Sequence, residues 1–127
     1  MPAGKYSFVI EQGATKQFEI RYADSSGNPI DLTPYSGKLQ IRDAPGSPNL
    51  YATLSSSLLP DGTGLNFNGM SGTTPKTSGS IGFYISAVTS SMFTFTEAVY
   101  DLDLTSGSYV TRILEGKIKV SQEVTVN

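Results

Sequence analysis

Residues 98–120 read Ala98-Val-Tyr-Asp-Leu-Asp-Leu104, then Thr105-Ser-Gly-Ser108, then Tyr109-Val-Thr-Arg-Ile-Leu-Glu-Gly-Lys-Ile-Lys-Val120. Tyr100, Leu102 and Leu104 alternate with Val99, Asp101 and Asp103. A two-residue period puts one apolar and one mostly acidic face on an extended strand. The short glycine-containing connection returns the chain as a second strand, which makes the stretch a β-hairpin. Gly116, inside the returning strand, predicts a bulge or a sharp twist. A hairpin this regular points to an all-β chain.

The same period recurs upstream. Tyr6-Ser-Phe-Val-Ile10 reads as a first strand, broken by Glu11-Gln-Gly13. Over residues 15–22, Phe18, Ile20 and Tyr22 share one face, and Gln17, Glu19 and Arg21 the other. Asp24-Ser-Ser-Gly-Asn-Pro29 is a turn cluster, followed by a short extended piece at residues 30–33. Residues 38–42 form a strand with Leu39 and Ile41 inward, and residues 50–54 form its partner across the loop Asp43-Ala-Pro-Gly-Ser-Pro48. Pro60-Asp-Gly-Thr-Gly64 is a turn, with a short strand around Leu65 and Phe67. Residues 68–79 are rich in Gly, Ser and Thr and read as the longest exposed loop. Residues 80–85 form a strand with Ile81, Phe83 and Ile85 on one face. Ser86-Ala-Val-Thr-Ser-Ser-Met92 is a helical turn capped by Ser86. Strands at roughly 10-residue spacing are the pattern of a sandwich or barrel.

Composition narrows the chemistry. The 127 residues suit one domain, read here as residues 1–127. Thirteen Gly and seven Pro oppose long helices. There is no Cys and no His, which removes thiol nucleophiles, the common zinc ligands and the usual base of serine hydrolases. With no disulfide available, the hydrophobic core alone must hold the domain. The net charge is −2 and no Lys/Arg block exists, which disfavours nucleic acid and anionic membrane surfaces. No apolar run approaches the ~20 residues of a membrane span. Met1-Pro-Ala-Gly-Lys5 leads into a strand rather than a signal-peptide core, so synthesis in a cytoplasm is expected.

The segment Thr96-Glu-Ala-Val-Tyr-Asp-Leu102 suggests an immunoglobulin-like corner. In such domains a Tyr lies two residues before the core position that antibodies fill with Cys. Tyr100 and Leu102 fit that spacing, with Leu102 in the Cys position, so the Tyr100 hydroxyl is expected to bond the preceding corner and pin two sheets together. The bland alternative is a strand aromatic with no such bond. The expected fold is an all-β, immunoglobulin-like antiparallel β-sandwich of about 7–8 strands with one short helical turn.

Gly27-Asn-Pro-Ile-Asp-Leu-Thr33, followed by Leu39-Gln-Ile-Arg42, resembles the immunoglobulin-like N-terminal module of phage baseplate upper proteins and related small tailed-phage proteins. Tyr100-Asp-Leu-Asp-Leu104, Val110-Thr-Arg-Ile-Leu-Glu-Gly116 and the strand leading to Val124-Thr125 are similar to that family too. Gly4-Lys-Tyr-Ser-Phe-Val-Ile-Glu-Gln-Gly13 resembles small virion proteins of tailed cyanophages. The resemblance implies a non-enzymatic virion protein, a tail or baseplate accessory or adaptor. It would dock other virion proteins in multiple symmetric copies, with homo-oligomers as an option. A capsid decoration protein and a carbohydrate-binding module are the alternatives, the latter with Tyr51 and Tyr84 as candidate contacts.

No catalytic, cofactor or metal residue is assigned. Asp101 and Asp103 with Asp61 or Glu115 offer oxygen ligands for Ca²⁺, but no loop has EF-hand spacing and a solvated polar face is preferred. Glu97, Asp101 and Glu115 offer a glycosidase-type carboxylate pair without any Trp platform. Pro60-Asp-Gly-Thr-Gly64 lacks the Lys of a phosphate loop. The expected partner contacts are the first residues, the loop at residues 68–79 (including Met70), ordering on assembly, and the tail Glu123-Val-Thr-Val-Asn127.

Overall fold

The computed structural model describes residues 4–122. The proposed C-terminal contact, the first three residues and the Val124-Thr125 segment lie outside the described residues. Nine strands and one short α-helix are present among the described residues, plus a 3-10 turn at Lys76–Ser78. The strands are β1 (Gly4–Lys5), β2 (Phe8–Glu11), β3 (Lys16–Arg21), β4 (Ser36–Arg42), β5 (Leu50–Ser55), β6 (Gly64–Asn66), β7 (Ser80–Ile85), β8 (Glu97–Ser106) and β9 (Tyr109–Ser121). The helix α1 spans Ala87–Ser91.

The strands form two sheets. One runs β1-β9-β8-β4-β5, with β2 also on β9, and the other runs β3-β7-β6. Their inner faces meet in a core that includes Ile10, Leu39, Ile41, Leu54, Leu65, Ile81, Phe83, Leu102, Leu104 and Ile118. The β8–β9 hairpin is as expected: Ala98, Tyr100, Leu102 and Leu104 are buried, and Asp101 and Asp103 face outward. Burying a side chain of Leu size contributes about 1.5–3 kcal/mol, so the alternation itself selects which face turns inward. Ser86 caps α1 by accepting from the Thr89 amide, as its place before the helical turn predicts.

Three details differ from the sequence reading. The first strand is split in two by Tyr6 and Ser7, and both halves run parallel to β9, whereas the other strand pairs are antiparallel. The bulge in β9 falls at Ile113, because Leu102 pairs with Leu114 while Asp103 pairs with Arg112. The adjacent apolar pair Ile113-Leu114, both buried, is what the extra residue accommodates. Gly116 serves another purpose: a Cβ there would lie 1.9 Å from the Tyr6 carbonyl oxygen. The Tyr6 backbone occupies the inner-face space that a side chain at position 116 would fill.

The corner expected of Tyr100 is absent. Its hydroxyl donates to the Tyr6 carbonyl at 2.5 Å, in the N-terminal segment and not in the corner before β8. The bond joins two parts of one sheet. What ties the sheets together on this side is an aromatic cluster. Phe8 lies 5.0 Å from Phe18 and 5.3 Å from Tyr100 between ring centroids, and Phe18 stacks on Phe83 at 4.4 Å. Such pairs add about 0.5–1.5 kcal/mol each beyond their burial.

Candidate functional site

The outer face of the six-stranded sheet carries the most varied chemistry. Strand register lays it out in rows. Lys5 pairs with Glu115, Glu115 with Asp101, and Asp101 with Gln40. The next row is Lys117, Val99 and Arg42. On the other side lie Arg112, Asp103 and Lys38. Arg112 Nε reaches Asp101 at 3.4 Å and Asp103 at 3.8 Å. Partial burial raises the Asp103 carboxyl above its ordinary range, with the Asp101 charge adding to the shift. Arg42 donates to the Ser47 carbonyl at 2.8 Å and to Gln40 Oε1 at 2.9 Å. A groove of about 380 Å³ crosses this face between Lys5 and Ser7 on one side and the Ala44-Pro45-Gly46 turn on the other.

The acidic residues weighed from sequence are thereby separated. Asp101, Asp103 and Glu115 share the sheet face, with Glu97 two rows away, opposite Lys119. Asp61 lies elsewhere, beside α1. Among the described residues no three His, Cys, Asp or Glu side chains gather as a metal site. Asp61 accepts from Ser86 Oγ at 2.6 Å, Thr89 Oγ1 at 3.1 Å and the Thr63 amide at 2.9 Å. Led by the Ser86 hydroxyl, these bonds hold its carboxyl down to about 2. Thr63 Oγ1 in turn accepts from the Ser86 amide at 3.0 Å. The turn at residues 60–64 is thus the clasp that fixes the start of α1.

The loop at residues 68–79 is mostly exposed and is tied down by hydrogen bonds to its own residues and to its neighbours. Asn68 Nδ2 donates to the Thr74 carbonyl, the Met70 amide donates to Glu19 Oε1, and the Leu32 amide donates to the Lys76 carbonyl. Gly82 lets the loop lie flat on the smaller sheet, since a Cβ there would sit 2.8 Å from backbone atoms of Gly69 and Met70. Tyr51 and Tyr84, weighed as sugar contacts, stand on different sheets. Tyr51 stacks on Phe95 at 4.2 Å, which covers one face of its ring. Tyr84 lines a hollow of about 200 Å³ with Gln17, Asp61 and Met70.

Of the exposed apolar side chains, which also include Leu50, Tyr51, Leu58 and Leu59, the two most exposed pairs escaped the sequence reading. Val88 and Met92, four apart around α1, are 68% and 67% exposed. Tyr109 and Val110, at the turn of the β8–β9 hairpin, are 60% and 58% exposed. They lie at opposite ends of the sandwich. Tyr109 approaches Tyr22, whose hydroxyl is raised by burial and then by Tyr109 and Tyr35. Tyr22 bonds Gly79, just before β7, while α1 follows the far end of that strand.

The strand order and facing sheets define an immunoglobulin-like β-sandwich. A solved structure titled crystal structure of chicken TCR matches over 95% of this chain, with a TM-score of 0.53 and 17% identity. The chain spans 55% of that protein's length, and a likeness at this identity is one of fold. No protein-family model and no curated protein matches the sequence.

Proposed function

We propose that the chain is a non-enzymatic structural component of a tailed-phage virion, a tail or baseplate accessory or adaptor that docks other virion proteins in multiple copies. The sequence resemblance at residues 4–13, 27–33, 39–42, 100–104 and 110–116 supports the phage setting. The observation that carries the docking role is the placement of exposed apolar side chains at both ends of one rigid sandwich. Val88 and Met92 mark one end, and Tyr109 and Val110 the other. Single exposed apolar residues are ordinary, and these two pairs are the most exposed large apolar side chains among the described residues. An adaptor needs two contact surfaces, and repetition raises the strength of each weak contact.

The test is particle assembly with Val88→Asp/Met92→Asp or Tyr109→Asp/Val110→Asp in place of the native chain. Neither pair contributes to the core, so stability should stay within about 0.5 kcal/mol per substitution. Both variants should fold and be missing from purified particles. Incorporation of both at the native level would refute the docking role.

A further inference from the structure

The groove on the outer face of the six-stranded sheet has a chemistry that end-to-end docking leaves unused. Four of the chain's nine cations line it, Lys5, Arg42, Arg112 and Lys117, against two of its eleven acids, Asp101 and Glu115. The groove lining is therefore net positive by two, or by one with Asp103 beside Arg112 counted, on a chain that is net negative by two. Arg112 is held by Asp101 and Asp103, and Arg42 by Ser47 and Gln40. Among the described residues, Lys5 and Lys117 have no ion-pair partner. Two fixed cations and two uncommitted ones thus surround one concavity.

We infer that this groove binds an acidic peptide segment of a neighbouring protein. The inference rests on the docking reading above and names the chemistry of one partner. Lys5 and Lys117 would take carboxylates, with Arg42 on the far side of Val99 supporting the same charge. Asp101 and Glu115, opposite each other on the floor, would accept peptide N–H groups. Those two carboxylates also decide against nucleic acid, because a phosphodiester backbone carries a charge at every residue and brings no donor to meet them. A peptide supplies donors and spaced carboxylates together. Attraction of this exposed kind speeds encounter and selects partners more than it adds affinity.

The experiment is an NMR titration of the ¹⁵N-labelled chain with a glycine-spaced Asp/Glu peptide at millimolar concentration. Its Asn/Gln counterpart and an oligothymidylate serve as comparisons. The acidic peptide should move the amides of Gln40, Gly46, Val99 and Lys117 and leave Ser71 and Thr73 in place. Lys5→Glu/Lys117→Glu should weaken binding about tenfold, as two exposed attractions become repulsions. Lys76→Glu, on the exposed 3-10 turn, should leave it unchanged. Absent or delocalised shifts, an equal response to the Asn/Gln peptide or the oligothymidylate, or an equal loss in Lys76→Glu would overturn the inference. The isolated chain is used throughout, so a silent groove on a protein present in virions refutes this inference alone. A responsive groove on a protein missing from virions refutes the virion setting alone.

Discussion

Tyr100→Phe removes one oxygen and tests how the N-terminal segment is held. Tyr100 is buried, and its hydroxyl donates to the Tyr6 carbonyl across 94 positions of sequence. The ring stays packed against Phe8, so the substitution leaves no large cavity. A hydrogen bond of this kind is worth about 0.5–1.5 kcal/mol net, and an acceptor left unpaired costs about 1–3 kcal/mol. The Tyr6 carbonyl lies over Gly116 on the inner side and loses its side-chain donor, which puts the expected loss at about 1–2 kcal/mol. For a chain of this size that lowers Tm by roughly 3–10 °C. Hydrogen exchange then locates the effect. Amides of Phe8 and Ile10, which face β9, should lose protection, while Ser90 and Phe93 at α1 keep theirs. Loss of protection at Ser90 and Phe93, or an unchanged Tm, would refute the account of Tyr100 as a tie within one sheet.

Gly116→Ala should be more damaging than Tyr100→Phe, because the new Cβ meets backbone and not a flexible side chain. Denaturant unfolding should show a loss above about 2 kcal/mol, and a loss below that of Tyr100→Phe would contradict the close approach. Asp61 makes a prediction about pH. Its folded carboxyl titrates near 2, below the ordinary unfolded value of about 3.9, so the unfolded chain takes up the proton first. The stability that Asp61 confers is complete above about pH 4 and disappears as pH falls toward 2. Asp61→Asn should flatten that part of the stability curve, and a slope equal to the native one would refute the clasp.

The parts of the fold that depend on neighbouring residues were legible in the sequence. Alternation at residues 98–104 marks β8, and Ser86 before a short helical stretch marks the start of α1. Long-range contacts were not legible. The Tyr100 spacing fits a corner bond equally well, and only the fold shows that Tyr6 is the partner. Gly116 announces a backbone irregularity but not its kind, since a bulge and a close backbone approach both call for glycine in a strand. The bulge itself was signalled by Ile113-Leu114, two adjacent apolar residues in an alternating strand. The groove was hidden for a similar reason. Lys5, Arg42 and Lys117 are far apart in sequence, and strand register alone brings them to one face. Exposure of Val88 and Met92 was hidden too, because a four-residue spacing on a short helix equally suits a buried stripe.

The central claim, a virion protein of the tail or baseplate, is tested most directly by immunogold labelling of intact particles with antibody against this chain. The account predicts gold at the tail end. Gold over the head would contradict it and favour a capsid decoration protein on the same sandwich, and particles without gold would remove the virion setting altogether.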